Sequence, residues 1–326
     1  MNLSEITDLG GQLLNMNPDP APRFRIMRDV LKLPQDDALF VQAKQDMLKS
    51  KWVMELAEEQ WENGSWGRFH TQNTKVKHKI ITTEWAISRG LELGLDKNDE
   101  IFKKTIAHME NMLNGVELPL DNEEHHYGFR IAFAYLIAGN LSKIDPVHPL
   151  LPQKSKYCAD CTIRAFQSGQ YDEKDWTEAY MELNEVMLRL FMIHPLLLLQ
   201  SEEGILPENI ELKLLNWIWN RPEGIYYITN HCPNNYQDIG SGSFHYWLRG
   251  VELLSNFKHW RDFATGTIVW LNDQRGDDGL WDYGKDANSI IFGHYSESWR
   301  NRMNRKIDCS TRILALMRKY LDKCLV

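Results

Sequence analysis

Long hydrophobic runs, excess positive charge and strand-forming segments are all scarce in this chain of 326 residues. No apolar stretch approaches the roughly 20 residues that a helix needs to cross a bilayer. The longest one, residues 191–199, is interrupted by His194 and Pro195. The formal net charge of −8 argues against a nucleic-acid-binding domain, which is normally basic. These absences predict a protein without an integral membrane segment, whose partner is a small molecule and not a nucleic acid.

Cysteine is also scarce, with five residues in the chain. An odd count in a long sequence is typical of reduced thiols and not of a disulfide framework. The start, Met1 to Glu5, lacks the basic and then apolar pattern of a secretory signal, so we expect a cytoplasmic location. Cys158 and Cys161 form a Cys-x-x-Cys pair without the companion ligands of a zinc finger. We therefore predict that this pair is buried and apolar, and that the protein has no bound metal or cofactor.

Helical periodicity dominates the sequence. Apolar residues recur at spacings of three and four from Ile80 to Leu95 and again from Ile101 to Leu113, which is the pattern of amphipathic helices. Further helices are predicted near residues 23–33, 37–60, 124–138, 155–168, 175–199, 207–219, 243–256, 257–273 and 306–322. The best strand candidate, residues 225–229, is short and isolated. The sequence thus predicts an all-α fold, with Pro195 ending or kinking its helix.

The predicted helices fall into pairs of roughly 45 to 60 residues, a length that suits an array of helical hairpins. No linker rich in Pro, Gly or Ser divides the chain, so residues 21–326 are predicted to form one domain. Residues 1–20 are predicted to be a poorly ordered N-terminal extension. Long polar loops connect the hairpins, and the longest, residues 274–305, is typical of a loop with a function.

Two stretches resemble each other, one running from Gln60 to Trp66 and the other from Gln274 to Trp281. Each follows an amphipathic helix, begins with Gln, passes through a polar turn that contains glycine, and reaches Trp. Glycine permits the backbone conformation that such a turn needs, and the Gln amide can bond the end of a helix. The Trp ring covers the turn. We call these stretches the Gln–Trp turns and predict an architectural role for them.

The Gln–Trp turns resemble the QW repeat of the terpenoid-cyclase and protein-prenyltransferase superfamily, which includes squalene-hopene and oxidosqualene cyclases. The resemblance implies an α/α toroid, in which outer and inner helices surround a central cavity and long loops connect them. It also implies that the helix after each turn lines the cavity. We take Glu84 and Asp308 from these helices as candidate catalytic residues, and Trp85, Arg89 and Arg312 as candidate substrate-binding residues.

Asp308 opens the segment Asp308-Cys309-Ser310-Thr311, which is similar to the Asp-Cys-Thr-Ala segment of oxidosqualene cyclases. That Asp is the proton donor there, so the resemblance implies that Asp308 is a general acid. Such an acid needs an apolar cavity to stay protonated, and aromatic rings to stabilise the carbocation that it creates. The alternative is that Asp308 caps the N-terminus of a helix.

A second polar cluster begins the helix predicted over residues 243–256. Its His, Tyr and Arg side chains are the residue types that toroid-type polysaccharide lyases use. In those enzymes an amide or Arg neutralises a uronate carboxylate, and His or Tyr removes the α-proton. Within this cluster the catalytic candidates are His245 and Tyr246, and the substrate-binding candidates are Trp247 and Arg249. On another inner helix, His126 and Arg130 are substrate-binding candidates for the same purpose. Each His has the alternative of a packed residue in the core or a loop.

The cations between Arg300 and Arg312 have two interpretations. They either hold a diphosphate or a carboxylated sugar, or they form a solvated face that is balanced by the acidic residues between Asp277 and Asp286.

Three functional hypotheses remain open. The first is a terpenoid-cyclase-like or prenyl-binding protein with an aromatic cavity for an isoprenoid, in which Asp308 initiates cyclisation. The second is a polysaccharide lyase or glycoside hydrolase that uses His, Tyr and Arg. The third is a non-catalytic binder of a small molecule or peptide. An apolar cavity with one buried carboxyl group favours the first hypothesis, and several convergent polar groups favour the second.

Overall fold

A computed structural model describes residues 1–72, 79–117, 127–183, 185, 188–284 and 294–322, without the side chains of residues 127–131. These residues form helices and loops, and no strand occurs among them, which confirms the all-α prediction. The best strand candidate, residues 225–229, is a tight loop with single bridges from Ile225 to Thr229 and from Met192 to Tyr226.

The helices follow one another along the chain with short to medium connections. They are α1 Leu3–Asn15, α2 Pro20–Arg25, a π-helical turn Ile26–Val30, α3 Ala38–Leu48, α4 Lys51–Glu59, α5 Thr83–Leu93, α6 Glu100–Leu113, α7 Tyr127–Ile144, α8 Pro152–Ala165, α9 Glu173–Glu182, α10 Ile193–Leu199, α11 Glu208–Trp219, α12 Phe244–Leu254, α13 Arg261–Asp273 and α14 Arg302–Asp322.

Two predicted helices are each divided into two. The helix predicted over residues 37–60 breaks near Ser50, which precedes α4 as its N-cap residue. The helix predicted over residues 175–199 ends at Glu182, and Pro195 is the third residue of the separate helix α10. Proline is tolerated in a first turn because its missing N–H has no partner in the helix there. Pro195 therefore neither ends nor kinks a helix.

The N-terminal residues differ from the predicted extension because α1 belongs to the core. Asn2 and Glu5 form a capping box at its start, in which each side chain bonds the other residue's backbone N–H. Ile6 and Leu13 on its inner face are fully buried, and α1 packs against α14 at the other end of the chain. Burial of these side chains ties the first helix to the last.

Six helices contact one another in succession: α2 packs against α5, α5 against α7, and α7 against α10. Gln200, at the end of α10, then donates a hydrogen bond of 3.0 Å to the Leu253 carbonyl of α12. Glu252 of α12 in turn binds Arg312 of α14. Finally, α14 packs against α2 and the π-helical turn that extends it. We call these six the inner helices, because all of them contribute residues to one cavity.

The two Gln–Trp turns have the same internal hydrogen bonds. The indole N–H of Trp66 donates to the Leu56 carbonyl at 2.9 Å, and that of Trp281 donates to the Leu271 carbonyl at 2.6 Å. Both rings are buried, with 3% and 0% of their surface exposed. In each turn the Trp thus covers the last turns of the preceding helix and satisfies one of its terminal carbonyls.

Each Gln–Trp turn is also tied to the inner helix that follows it. The backbone N–H of Trp66 donates to the Thr83 hydroxyl on α5 at 3.0 Å, and that of Trp281 donates to the Ser310 hydroxyl on α14 at 3.1 Å. Glycine is required in the first turn because the φ of Gly64 is +86°, and a Cβ there would lie 2.2 Å from the Lys104 carbonyl oxygen. The indole and backbone N–H groups of Trp66 and Trp281 therefore make equivalent hydrogen bonds in the two turns.

The two Gln residues are not equivalent in the structure. Gln60 donates to Thr105 Oγ1 at 3.1 Å, which joins the first turn to helix α6. When the two turns are aligned on their Trp residues, Arg275 takes the place of Gln60. The Arg275 guanidinium lies over the Trp281 ring, 5.9 Å from its centroid. Gln274 nevertheless shares one feature with Gln60, because each is the C-cap residue of the helix before its turn.

The cysteine pair is buried as predicted, with Cys158 and Cys161 exposed by 1% and 0%. The cysteines in the described part of the chain, Cys158, Cys161, Cys232 and Cys309, are free thiols. No described helix combines the length and the apolar character that crossing a bilayer requires.

Candidate functional site

A cavity of about 770 Å³ lies between the inner helices. It is bounded by the ends of α5, α7, α10 and α12, by the middle of α14, and by the π-helical turn. Its charged side chains are Arg25, Arg28, Asp29, Lys32, Glu92, Lys143, Arg249, Glu252, Arg312 and Lys319. Apolar side chains such as Leu91, Leu197 and Leu316 fill the gaps between them. The cavity is therefore charged, in contrast to the apolar, aromatic cavity that a carbocation needs.

Asp308 lies in the second turn of α14, so it is not the N-cap residue of that helix. Its side chain is buried and accepts hydrogen bonds from the Ser296 backbone N–H (2.9 Å), the Ser296 hydroxyl (2.6 Å) and the Trp299 indole (2.7 Å). Burial raises the pKa of Asp308 to about 6, although these hydrogen bonds favour the ionised form. The geometry shows Asp308 anchoring the segment that precedes α14.

Asp308→Asn is expected to lower the free energy of unfolding by about 1–3 kcal/mol. One oxygen that accepts hydrogen bonds becomes an amide NH₂ that faces the donors of Ser296 and Trp299. Because the folded-state pKa of about 6 lies above the ordinary 3.8, protonation of Asp308 adds stability as the pH falls through this range. The variant should lack that contribution.

Chemical denaturation at pH 4 to 7 measures both effects, with the exposed Asp36→Asn as the matched control. An unchanged free energy of unfolding for Asp308→Asn would contradict the anchoring role and favour the general-acid hypothesis.

Glu84, a predicted catalytic residue in the first turn of α5, is the centre of a second polar cluster. Its Oε2 lies 2.6 Å from Nδ1 of His70, and its Oε1 lies 2.7 Å from Nε2 of His194 on α10. Asn140 of α7 donates to the same Oε1 at 2.9 Å. Two inner helices, α7 and α10, and one loop thus direct polar groups to the carboxylate on α5. We call Glu84, His70, His194 and Tyr227 the Glu84 cluster.

The backbone places His70 beside Glu84. The N–H groups of Thr83 and Glu84 at the start of α5 donate to the carbonyls of Arg68 and Phe69, at 2.9 and 3.0 Å. Phe69 is buried in the core, where its ring meets that of Phe133 edge-on. Arg68 and Phe69, which follow the first Gln–Trp turn, are therefore fixed by backbone hydrogen bonds and by the packing of the Phe69 ring. His70 comes directly after them, and its ring is hydrogen-bonded to the Glu84 carboxylate.

Tyr227 stands over the two imidazole rings. Its ring centroid lies 4.9 Å from that of His70 and 5.9 Å from that of His194. Its φ of +71° is unusual for a residue other than glycine. The loop sustains this strain because Ile225 N–H donates to the Thr229 carbonyl at 2.9 Å. Strained residues of this kind cluster at functional sites, and the Tyr227 side chain is half exposed.

The protonation states of the Glu84 cluster follow from burial and hydrogen bonding. Burial lowers the pKa of His194, so its ring is neutral. Although burial opposes ionisation, interactions with His194, His70 and Lys143 keep the pKa of Glu84 well below its ordinary value. An ionised carboxylate only accepts hydrogen bonds, so the bonded nitrogens, Nε2 of His194 and Nδ1 of His70, carry the protons. In a neutral His70 ring with the proton on Nδ1, Nε2 is the basic nitrogen.

Exposure separates the roles of the two histidines. His194 is fully buried, so it positions Glu84 and does not reach a ligand. The His70 side chain is 12% exposed and Glu84 is 18% exposed, so both reach the surface of the site. Lys143 extends the cluster, because its Nζ donates to Asn140 Oδ1 at 2.9 Å while its side chain lines the central cavity.

The predicted lyase residues on α12 lie in two environments, the protein core and the central cavity. His245 is buried, and burial together with the charges of Arg312 and Arg249 lowers its pKa to about 4. Arg249 lines the central cavity. The ring centroids of Tyr246 and His245 lie 4.2 Å apart. Trp247 is fully buried and donates to the Pro233 carbonyl at 3.0 Å, so its place is in the core and not at a ligand.

The other predicted substrate-binding residues also differ in position. Arg312 lines the cavity and binds Glu252 through two hydrogen bonds of 2.6 Å. Arg89 is 5% exposed and donates to the His294 carbonyl at 2.6 Å, so it supports a loop. Trp85 is half-buried, and its N–H donates to the capping hydroxyl of Thr82. His126 lies outside the described residues, and Arg130 lies on α7 with its side chain outside the description.

Ion pairs explain much of the basic cluster before Arg312. Arg305 binds Asp282 with hydrogen bonds of 2.5 and 3.0 Å, and Arg302 reaches the same carboxylate at 3.3 Å. Lys306 binds Asp278. These contacts favour the interpretation that the basic residues form a solvated face, whose charge is balanced by acidic residues in and directly after the second Gln–Trp turn.

The sequence interpretation named Glu84 but missed His70, His194 and Tyr227 as site residues. Each had a weak local signal: His70 follows the first Gln–Trp turn, His194 interrupts an apolar run, and Tyr227 lies in the segment taken for a strand. None of these signals indicates a common site, because the residues come from three separate segments.

Comparison of the chain with known protein families, with characterised proteins and with solved structures finds no match. The site itself must therefore carry any statement about function.

Proposed function

We propose that the inner helices form the closed ring of an α/α toroid. The succession of contacts supports this arrangement, since each inner helix meets the next and α14 meets α2. A single cavity bounded by all six helices supports it as well. The two Gln–Trp turns would then join outer helices to inner ones, as the QW repeat does in the superfamily that they resemble.

The function that this geometry supports best is a lyase that acts on a uronate-containing saccharide at the Glu84 cluster. The observation that carries the proposal is the carboxylate of Glu84, bonded to His70 and His194 beneath the strained, half-exposed Tyr227. A lyase fits better than a glycoside hydrolase, which uses a pair of carboxyl groups. The hydrogen-bond partners of Glu84 are instead two His residues and Asn140.

In the proposed reaction His70 is the base and Tyr227 is the acid. Nε2 of His70 removes the proton on C5 of the uronate, next to the substrate carboxylate. That electron pair forms the C4–C5 double bond while the bond from C4 to the glycosidic oxygen breaks. The Tyr227 hydroxyl gives its proton to the departing oxygen, and exchange with water restores both residues. Glu84 holds His70 in the required tautomer and stabilises the imidazolium that forms.

Two further features suit this chemistry. Burial raises the pKa of Tyr227, so its hydroxyl is protonated and able to donate at neutral pH. Arg221 supplies a cation near the loop that carries Tyr227. Its guanidinium lies 4.1 Å from the ring centroid of Phe191, and the Phe191 carbonyl accepts a hydrogen bond from the Tyr226 N–H of that loop. In the proposal, Arg221 neutralises the substrate carboxylate, which makes the C5 proton acidic.

The isoprenoid hypothesis rests on the Gln–Trp turns and on Asp308. Two observations count against it. The central cavity is lined by charged groups, which does not suit an apolar isoprenoid chain. Asp308 already accepts three hydrogen bonds from the segment that it anchors, and its carboxyl is directed to that segment.

Incubation with uronate polymers tests the proposed function. The expected result is a rise in ultraviolet absorbance from the new C4–C5 double bond with at least one of polygalacturonate, alginate or a glycosaminoglycan. Starch is the control, because it lacks the carboxylate that makes the C5 proton acidic. No absorbance change with any of the uronate polymers would contradict the lyase proposal.

A further inference from the structure

A second pocket, of about 840 Å³, lies between α11, the residues that follow α11, and the loop from α8 to α9. Four aromatic side chains line it, namely Phe166, Tyr171, Trp217 and Phe263. Its polar lining groups are Gln170, Lys213, Asn216, Asn220, Arg221 and Glu223. We call it the Trp217 pocket. Its lining combines a large aromatic surface with a few amide and charged groups, which is the composition of a ligand-binding pocket.

Trp217 and Tyr171 form an aromatic wall of this pocket. Their rings are stacked, with centroids 4.1 Å apart and planes 24° from parallel. Phe166, which is 1% exposed, meets the Trp217 ring edge-on at 5.9 Å and so ties the wall to the core. Trp217 and Tyr171 are both half-buried, so part of their surface is accessible from the pocket. The wall is therefore fixed from behind and open to a ligand in front.

Helix α11 places polar groups beside the wall. Lys213, Asn216, Trp217 and Asn220 follow one another at spacings of three, one and three residues, which puts them on one face of the helix. Asn220 Nδ2 donates to the Asn216 carbonyl at 2.8 Å, and Lys213 Nζ donates to the Phe166 carbonyl at 3.4 Å. These bonds hold the amide and ammonium groups at the edge of the aromatic surface.

An aromatic wall edged by amides suits the ring of a sugar. The C–H bonds on one face of a pyranose carry a small positive charge, and they pack against the negative face of an aromatic ring. The hydroxyl groups at the edge of the sugar both donate and accept hydrogen bonds, as amide side chains do. A purely apolar ligand would instead remove water from the amide and charged groups without replacing its hydrogen bonds.

The Trp217 pocket adjoins the Glu84 cluster through Arg221. This residue lines the pocket, while its guanidinium lies 4.1 Å from the ring centroid of Phe191. The Phe191 carbonyl accepts a hydrogen bond of 2.9 Å from the Tyr226 N–H, and the ring centroids of Tyr226 and Tyr227 lie 4.3 Å apart. Both tyrosines are about half exposed. Residues in contact thus lead from the Trp217 pocket to Tyr227, the acid of the proposed lyase.

Arg221 is held between the two places by its own partners. Its Nη1 donates to the Gly224 carbonyl at 2.7 Å, and its Nη2 lies 3.5 Å from the Glu223 carboxylate. The Glu223 side chain is 69% exposed, and an ion pair with so exposed a partner contributes little energy. A substrate carboxylate can therefore share the guanidinium with Glu223 at low cost.

We propose that the Trp217 pocket is a subsite that binds one sugar residue of a saccharide chain, at a distance from the bond that is cleaved. This inference rests on the proposed lyase function, because it extends the substrate from the Glu84 cluster past Arg221 to Trp217. The substrate is then a polymer or a long oligosaccharide and not a disaccharide. Since the wall does not touch the reacting atoms, it contributes to KM and not to kcat.

Calorimetric titration of the full chain tests the subsite with hexasaccharides and disaccharides prepared from polygalacturonate, alginate and hyaluronate. A saccharide that the wild type cleaves is titrated in a His70→Ala background, which lacks the proposed base, and any other is titrated in the wild type. We expect at least one hexasaccharide to bind, and to bind more tightly than its disaccharide. Trp217→Ala should weaken hexasaccharide binding about ten- to hundredfold, the usual effect of removing an aromatic anchor.

Three further variants make the test specific. Trp217→Phe keeps an aromatic ring and should weaken binding less than Trp217→Ala. Tyr171→Ala removes the other ring of the wall, and it replaces Trp217→Ala if that variant does not fold. The matched control is Tyr157→Ala, which alters a half-buried tyrosine on α8 outside the pocket and should bind like the wild type.

Kinetics separate the subsite from the lyase function on which it rests. For a hexasaccharide that is cleaved, Trp217→Ala should raise KM about ten- to hundredfold with little change in kcat. Binding without cleavage of any saccharide would contradict the lyase function and leave the Trp217 pocket as a saccharide-binding site. Cleavage with the wild-type KM in a folded Trp217→Ala variant would overturn the subsite and leave the lyase function intact. Binding of none of the hexasaccharides would also overturn the subsite.

Discussion

Trp281→Ala is expected to lower the free energy of unfolding by about 3–5 kcal/mol, because a fully buried ring is replaced by a cavity. The indole also donates a hydrogen bond of 2.6 Å to the Leu271 carbonyl, near the end of α13. Its removal leaves a buried carbonyl without that donor, which adds to the loss. Urea denaturation followed by circular dichroism measures the change.

Two variants control for the loss of an aromatic residue as such. Trp61→Ala alters a Trp of the first Gln–Trp turn that is 44% exposed, and its effect should stay within about 1 kcal/mol. Trp281→Phe keeps most of the ring but removes the indole N–H, so its stability should lie between that of Trp281→Ala and the wild type. Equal stability of Trp281→Ala and Trp61→Ala would show that the second turn does not hold the fold.

Glu84→Gln is expected to reduce kcat/KM for a uronate polymer about 10²- to 10⁴-fold, the usual contribution of a positioned acid–base pair. The carboxylate accepts hydrogen bonds from His70 through one oxygen and from His194 and Asn140 through the other. An amide has only one acceptor oxygen, so its NH₂ group must face a donor. His70 then loses the group that fixes its tautomer.

The control for this effect is Glu178→Gln, which alters an exposed carboxylate on α9. Its kcat/KM should equal that of the wild type. Circular dichroism and the melting temperature establish whether Glu84→Gln retains the fold, so that a loss of activity is not a loss of structure. Full activity of a folded Glu84→Gln variant would remove Glu84 from the reaction and with it the proposed role of His70.

Local pattern was sufficient for most of the helices. The repeats from Ile80 to Leu95 and from Ile101 to Leu113 became α5 and α6, because amphipathic periodicity depends on neighbours three and four residues apart. The break near Ser50 was not predicted, since the apolar pattern continues through it. The strand candidate at residues 225–229 forms a tight loop, because aromatic and β-branched residues favour a strand only where neighbouring strands pack against them.

The candidate site was predictable only in part. Glu84 and Asp308 were named because each opens or enters a helix after a Gln–Trp turn, and they lie on α5 and α14. Their surroundings were not predictable. Asp308 was expected in an apolar cavity and instead meets Ser296 and Trp299 from the preceding segment. The partner of Glu84, His194, is 110 residues away in the chain.

The sequence by itself determined the all-α class, the repeat of the Gln–Trp turns and the burial of the cysteine pair, because each depends on residues that are neighbours along the chain. Only the tertiary structure decided which polar side chains share a site. His70, Glu84 and Tyr227 meet because separate loops and helices pack around one centre. The charged cavity arises because the inner helices place charged side chains around the same space. Contacts between distant segments depend on the packing of the whole core, for which no local pattern is a substitute.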